Sequence, residues 1–201
     1  NRVSSLAMNA LQTNLSESAK IGVFAPSGVF NDERFEAGLE IIRGWGFEPV
    51  LAPNVGKSHR YLAGSDQERL DDLVWALTDR SLDAAWMVRG GYGLTRLLAR
   101  VPWERAVNRP VLGFSDGTAL HVALRQCAGI HGIHAPVIHS LSTTGEASRA
   151  ALQRMLQEGI APDLVGHQLS VGQNAVTAPV VGGNLCLLSA MCGTRWQLDA
   201  T

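Results

Sequence analysis

Short, unbroken apolar runs alternate along this chain with segments whose apolar residues recur at helical spacing, and that alternation restricts the fold more than any other feature. Ile21-Gly22-Val23-Phe24-Ala25 is the first run, and Pro26-Ser27-Gly28 ends it. It reads as a buried strand and turn. Asn31 or Asp32 can cap the helix that follows, which carries Phe35, Leu39 and Ile42 on one face. Gly44-Trp45-Gly46 stops that helix, and residues 48–51 form a second strand. Asp66 caps a second helix, with Leu70, Leu73, Val74 and Leu77 on its apolar side. A third strand over residues 84–88 runs into Arg89-Gly90-Gly91-Tyr92-Gly93, then a helix with Leu94, Leu97 and Leu98. Residues 110–114 give a fourth strand, 118–127 a helix, and Ile133-His134 a brief fifth strand. A helix over 146–158 carries Ala150, Leu152, Met155 and Leu156.

Strands alternating with helices require crossover connections, and these place helices on both faces of a mostly parallel sheet. The strand runs are continuously apolar, as burial on two faces demands. The expected fold is therefore α/β, of flavodoxin- or Rossmann-like design, over residues 20–158. Residues 1–19 are rich in Ser, Asn and Gln and read as a loosely ordered extension with a short helix over 6–11. After Gly159 the character changes. Residues 165–181 mix Gly, Gln, Asn, Thr and Pro with β-branched side chains. Residues 159–201 thus read as a linker and the truncated start of a second, β-containing domain. Within it Gly182-Gly183-Asn184-Leu185 opens a helical run to Met191.

Charge and composition exclude some partners. The net charge is −1 and the 17 basic residues are scattered, which gives no footprint for nucleic acid. No apolar stretch is long enough to span a membrane, and the first 20 residues make a poor secretory signal. Cys127, Cys186 and Cys192 are odd in number and lack metal-type spacing. They read as buried free thiols of a reducing compartment. His131, His134 and His139 cluster, but no further ligand lies at zinc-site spacing. No metal or other cofactor is expected.

In open parallel sheets, ligands bind at the carboxyl ends of the strands. Two turns there can carry chemistry. Gly113-Phe114-Ser115-Asp116-Gly117 fits G-x-S-x-G, a turn that lifts a serine hydroxyl above a sheet on a bend too tight for flanking side chains. The helix behind it aims backbone N–H groups at a developing oxyanion. Arg89-Gly90-Gly91-Tyr92-Gly93 lets backbone approach a ligand closely. It can supply a second oxyanion donor, with Arg89 or Tyr92 touching substrate. A dinucleotide reading fails because Arg96 stands where the last glycine of G-x-G-x-x-G belongs. No base for the serine is evident from spacing. Asp116 adjoins Ser115, but neighbours on a sharp turn generally point apart.

Four motifs occur in order: Val23-Phe24-Ala25-Pro26-Ser27-Gly28, Arg89-Gly90-Gly91-Tyr92-Gly93, Gly113-Phe114-Ser115-Asp116 and Gly182-Gly183-Asn184-Leu185. So ordered, the chain from about Lys20 onward resembles the LD-carboxypeptidase family, which includes muramoyl-tetrapeptide carboxypeptidase and the microcin C immunity peptidases. The resemblance implies that Ser115 is the nucleophile. It implies an oxyanion hole made by the backbone N–H groups of Gly91 and Asp116. Arg89, Gly90, Tyr92 and Asn184 are then the candidate substrate contacts. The implied reaction is hydrolysis of the amide joining an L-configured centre to a terminal D-alanine. The implied setting is cytoplasmic peptidoglycan recycling, with a muropeptide substrate, no metal and a homodimeric enzyme.

Two departures stand out. His134-Ala135-Pro136 replaces the usual His-Gly-Pro. The family's Glu and His partners of the serine lie in a C-terminal domain, and the L-E-D type motif that carries the Glu is not found in this sequence. His121, His131, His134, His139 and His167 all fall too early, so no triad Glu or His is assigned. The chain is accordingly expected to be an N-terminal fragment, cut or truncated after Asp199, whose own C-terminal domain can remain bound as a separate chain. Two other readings remain open on the same scaffold. One is a microcin-immunity-type peptidase acting on aminoacyl adenylate analogues. The other is a non-catalytic muropeptide-binding module in which Ser115 is an ordinary cap.

Overall fold

The computed structural model describes residues 13–162 and 181–199. Its elements run β1 (Lys20–Phe24), α1 (Asp32–Gly44), β2 (Glu48–Leu51), α2 (Asp66–Thr78), β3 (Ala84–Met87), β4 (Val111–Gly113), α3 (Gly117–Ala128), β5 (Ile133–His134), α4 (Glu146–Glu158) and α5 (Leu185–Met191). The five strands form one sheet in the order β2-β1-β3-β4-β5, and every pairing is parallel. The α/β reading of the sequence is the observed fold.

Register explains the unbroken apolar runs. Val23 lies opposite Trp86, Trp86 opposite Leu112, and Leu112 opposite Ile133. This row faces α1, α4 and the 3-10 segment Ile138–Thr143, where Phe35, Leu39, Ile42, Leu152 and Leu156 complete a core. The alternate residues, Phe24, Ala85, Met87 and Val111, face the other way onto α2 and α3. Each strand thus buries side chains on both sides, and each large one contributes roughly 1.5–3 kcal/mol. Trp86 is fully buried, and its indole N–H reaches the Pro136 carbonyl at 2.9 Å. A buried indole needs that acceptor.

Several local expectations shift. Ser65, not Asp66, caps α2. Its side chain accepts from Glu68 N–H while Glu68 reaches back to the cap, a reciprocal capping box. Asp66 is the first helical residue, and its carboxylate pairs with Arg69 and Arg96. The apolar spacing at Leu94, Leu97 and Leu98 builds no α-helix. It serves the short 3-10 turns Leu94–Arg96 and Leu98–Arg100, and a third follows at Trp103–Arg105. Spacings of three residues suit 3-10 geometry, and Pro102 blocks an α-helical continuation. All three cysteines are free and exposed rather than buried. Cys186 lies in α5 and Cys192 ends it; this short helix turns Met191 inward and packs on α3. The segment 181–199 holds this one helix and no strand among the described residues. The expected helix over 6–11 and most of the β-branched stretch 165–181 lie outside the described residues.

Candidate active site

Three loops leave the carboxyl ends of β1, β3 and β4 side by side, and buried polar contacts tie them together. The turn after β4 is the tightest. Ser115 has φ 59°, in the left-handed region that non-glycine residues rarely enter. Such a backbone costs about 1–2 kcal/mol, so the surroundings must impose it. They do so from beneath and from the side. A Cβ on Gly113 would fall 2.5 Å from the Met87 sulfur, and one on Gly117 would fall 3.0 Å from it. The thioether therefore fills the space that side chains would need at both flanks of the serine. The turn closes with Gly117 N–H on Phe114 O and Thr118 N–H on Ser115 O, each at 3.0 Å.

Asp116 points away from Ser115, into the protein. Its side chain is fully buried, and its Oδ2 accepts from Ser27 Oγ at 2.7 Å and from Leu94 N–H at 2.9 Å. One carboxylate thus links the β1 loop, the end of the glycine loop and the serine turn. Gly28 N–H adds a bond to Gly90 O at 3.1 Å. Gly90 presses against the serine turn. A Cβ there would lie 2.9 Å from Phe114 O and 3.0 Å from Ser115 Cβ. On the loop's other side, Gly91 has φ 117° and rests on the Tyr61 hydroxyl.

The backbone N–H groups of Gly91 and Asp116 take no acceptor among the described residues. Those of Gly117, Thr118 and Ala119 are used within the turn, so the helix start offers mainly the Asp116 N–H. The half-buried Ser115 hydroxyl forms no hydrogen bond among the described residues. Chemically, the turn presents a serine hydroxyl beside backbone donors that take no acceptor among the described residues.

The model of the LD-carboxypeptidase N-terminal domain (peptidase family S66) matches residues 21–135, more than half of the chain. The chain belongs to the LD-carboxypeptidase family. The murein tetrapeptide carboxypeptidase of Pseudomonas aeruginosa is 34% identical over 194 residues, covering 90% of this chain and 62% of that protein. Microcin C7 self-immunity protein MccF, in its wild-type apo state, superposes with a TM-score of 0.76 at 19% identity over 92% of this chain and 66% of that one. The muramoyltetrapeptide carboxypeptidase from Oxalobacter formigenes gives 0.73 at 23% identity over 90% and 62%. At those identities the two structures speak for the fold. The chain spans 61%, 65% and 62% of the length of three curated relatives.

Within this family member, the histidines separate. His139 sits beside Arg34 and Arg89, while His134 packs at a tilt against Phe114 with ring centroids 4.9 Å apart. Among the described residues no group of three or more His, Cys, Asp or Glu side chains could hold a metal ion. His121 lies under the strand that feeds the serine turn. Its Nε2–H donates to Gly113 O at 3.2 Å, a tautomer fixed by the carbonyl's inability to donate. Burial, then the nearby His134, push its pKa down to about 4. His121 is thus a neutral prop.

The remaining sequence-predicted positions fall close by. Arg89 is half-buried and donates to Val29 O. Tyr92 and Phe114 are about half exposed at the rim. Asn184 caps α5 through Oδ1, accepting from Leu187 N–H at 3.2 Å. Its own N–H reaches Thr118 Oγ1 at 2.9 Å, which ties Gly182-Gly183-Asn184-Leu185 to the first turn of α3. Ser27, Tyr61, Met87 and His121 also shape the site, though sequence reasoning gave them no part in it. Ser27 belongs to one of the four ordered motifs but carries no individual role in the sequence, and Met87 looks like any strand residue.

Proposed function

We propose that this chain carries the nucleophile and oxyanion hole of a serine LD-carboxypeptidase, which releases D-alanine from murein tetrapeptide in cytoplasmic peptidoglycan recycling. The observation that carries the reading is the positive φ of Ser115, held by Met87 and Asp116. Strain of this kind at a strand-to-helix turn suits an exposed nucleophile.

In the proposed reaction, Ser115 Oγ attacks the carbonyl carbon of the scissile amide. The carbonyl oxygen becomes an oxyanion between the N–H groups of Gly91 and Asp116. Removing one such donor typically costs about 10²–10³ in rate. The intermediate collapses, the C–N bond breaks, and D-alanine leaves with a proton on its amine. Water then hydrolyses the acyl-serine and restores the hydroxyl. Arg89, Gly90, Tyr92 and Asn184 border the bound peptide. Ser115 needs a base to accept its proton, and none of the described residues is assigned that role.

Ser115→Ala should abolish D-alanine release, by more than about 10³-fold, with the circular dichroism spectrum unchanged. Undiminished release would overturn the reading. A second substrate class, aminoacyl adenylate analogues, rests on MccF, which has been solved in complex with aspartyl sulfamoyl adenosine. Parallel turnover of the tetrapeptide and an aminoacyl sulfamoyl adenylate separates the two.

A further inference from the structure

A cleft of about 580 Å³ opens at the carboxyl end of the sheet between β1 and β3, where the strand order reverses. That reversal is where open parallel sheets leave room for a ligand. Arg34 enters the cleft from α1, Arg89 from the end of β3, and His139 with Ser142 from the 3-10 segment Ile138–Thr143. Neither guanidinium has a carboxylate partner among the described residues. Glu33 shares the lining and pairs with neither. Arg89 is steadied by the Val29 carbonyl, which fixes its position without neutralising it. Both cations act on one imidazole: after burial, Arg89 and Arg34 are what lower the pKa of His139. Two unpaired like charges converging on one cleft repel each other, and an anion placed between them removes that repulsion.

The geometry points to a carboxylate subsite, in which Arg34, Arg89 and His139 receive a free carboxylate of the peptide whose scissile amide lies at Ser115. This rests on the carboxypeptidase reading above and adds what the enzyme grips. Arg89 and Gly91 are two residues apart, so their Cα atoms lie within about 7 Å. A peptide carbonyl in the oxyanion hole therefore puts carboxylates one or two residues away within reach of the cleft. The planar guanidinium fork matches a carboxylate in a way an ammonium does not. The neutral imidazole of His139 adds an N–H donor.

The test is nuclear magnetic resonance of the His139 imidazole in the Ser115→Ala chain, titrated with three probes. These are murein tetrapeptide, the same peptide with its carboxylates converted to carboxamides, and inorganic phosphate. The tetrapeptide should shift the His139 signals, and the carboxamide should bind at least about tenfold more weakly. Arg34 is exposed on α1, so Arg34→Gln preserves the fold. It should lower tetrapeptide affinity to that of the carboxamide while leaving the carboxamide's unchanged. An unmoved His139, or equal affinity for the two peptides, would overturn the subsite. So would phosphate binding as tightly as the tetrapeptide, which would make the ligand a free anion. Turnover separates this failure from that of the underlying reading. D-alanine release with an unaltered KM in Arg34→Gln removes the subsite alone. In a protein that also carries the base for Ser115, carboxylate-dependent binding without any Ser115-dependent release removes the carboxypeptidase reading alone.

Discussion

The serine turn after β4 and the cleft between β1 and β3 share one end of the sheet, yet they are built in opposite ways. At the turn, a buried thioether fills the space beside Gly113 and Gly117, and a buried carboxylate ties three loops together. In the cleft, Arg34 and Arg89 stand without anionic partners among the described residues, around open volume. One region fixes atoms in place; the other leaves charge to be satisfied from outside. The proposed oxyanion hole acts only if its donors are aimed before charge develops, so rigidity belongs at the turn. Recognition tolerates adjustment, because a guanidinium can follow a carboxylate. The contrast predicts that substituting the groups that brace the turn acts on stability, and substituting those in the cleft acts on affinity.

The largest test of that contrast is Asp116→Ala. It leaves Ser27 Oγ and Leu94 N–H buried without an acceptor, and each orphan costs about 1–3 kcal/mol. The expected loss is about 2–6 kcal/mol in urea unfolding, whereas Arg34→Gln should stay within about 0.5 kcal/mol. Equal effects would erase the distinction between the two regions.

Acid sharpens it next. His121 has a folded pKa of about 4 against an ordinary value of 6.5. Between those values the unfolded chain binds the proton more readily, so stability is complete above pH 6.5 and falls as pH drops toward 4. A gap of about 2.5 units corresponds to at most about 3 kcal/mol. Urea midpoints at pH 7, 5.5 and 4 should fall further for the wild type than for His121→Gln. Parallel slopes would mean that the prop under Gly113 does not titrate as its burial requires.

Gly113→Ala probes the thioether beneath the turn. Its Cβ would meet the Met87 sulfur at 2.5 Å, an overpacking that costs about 1–3 kcal/mol. Combined with Met87→Ala, the glycine substitution should lose most of its effect, because the two share one space. Strict additivity in thermal unfolding would show that Met87 is not what excludes a side chain there.

Much of this was legible in the sequence, and the limits have physical causes. Apolar runs with no alternation announced a two-sided parallel sheet, and the helical spacing of Phe35, Leu39 and Ile42 marked the helix after β1. Gly113 and Gly117 announced a turn without flanking side chains. What the glycines avoid was not legible. Met87 is distant in sequence from both and reaches them only because β3 pairs with β4. The same holds for Asp116, whose partners Ser27 and Leu94 lie on other loops. Spacing of three residues at Leu94 and Leu97 suits α and 3-10 geometry alike, so the helix expected at Leu94, Leu97 and Leu98 is a pair of 3-10 turns. The charged cleft was divided in sequence among Arg34, Arg89 and His139, and only the strand order at β1 and β3 assembles it.

The smallest effect is the most direct measure of what holds the serine turn. At φ 59° any side chain with a Cβ suffers the same crowding, so Ser115→Ala should leave stability almost unchanged. Ser115→Gly removes the Cβ and with it a cost of about 1–2 kcal/mol. Glycine also enlarges the conformational freedom of the unfolded chain, which takes back about 0.4–1 kcal/mol. The net expectation is that Ser115→Gly is more stable than Ser115→Ala by about 0.5–1 kcal/mol in urea unfolding. That small gain would place the strain at the serine itself and show that Met87 and Asp116 hold a backbone the chain would otherwise relax. A Ser115→Gly variant less stable than Ser115→Ala would move the strain elsewhere, and the turn would then be no more constrained than the cleft beside it.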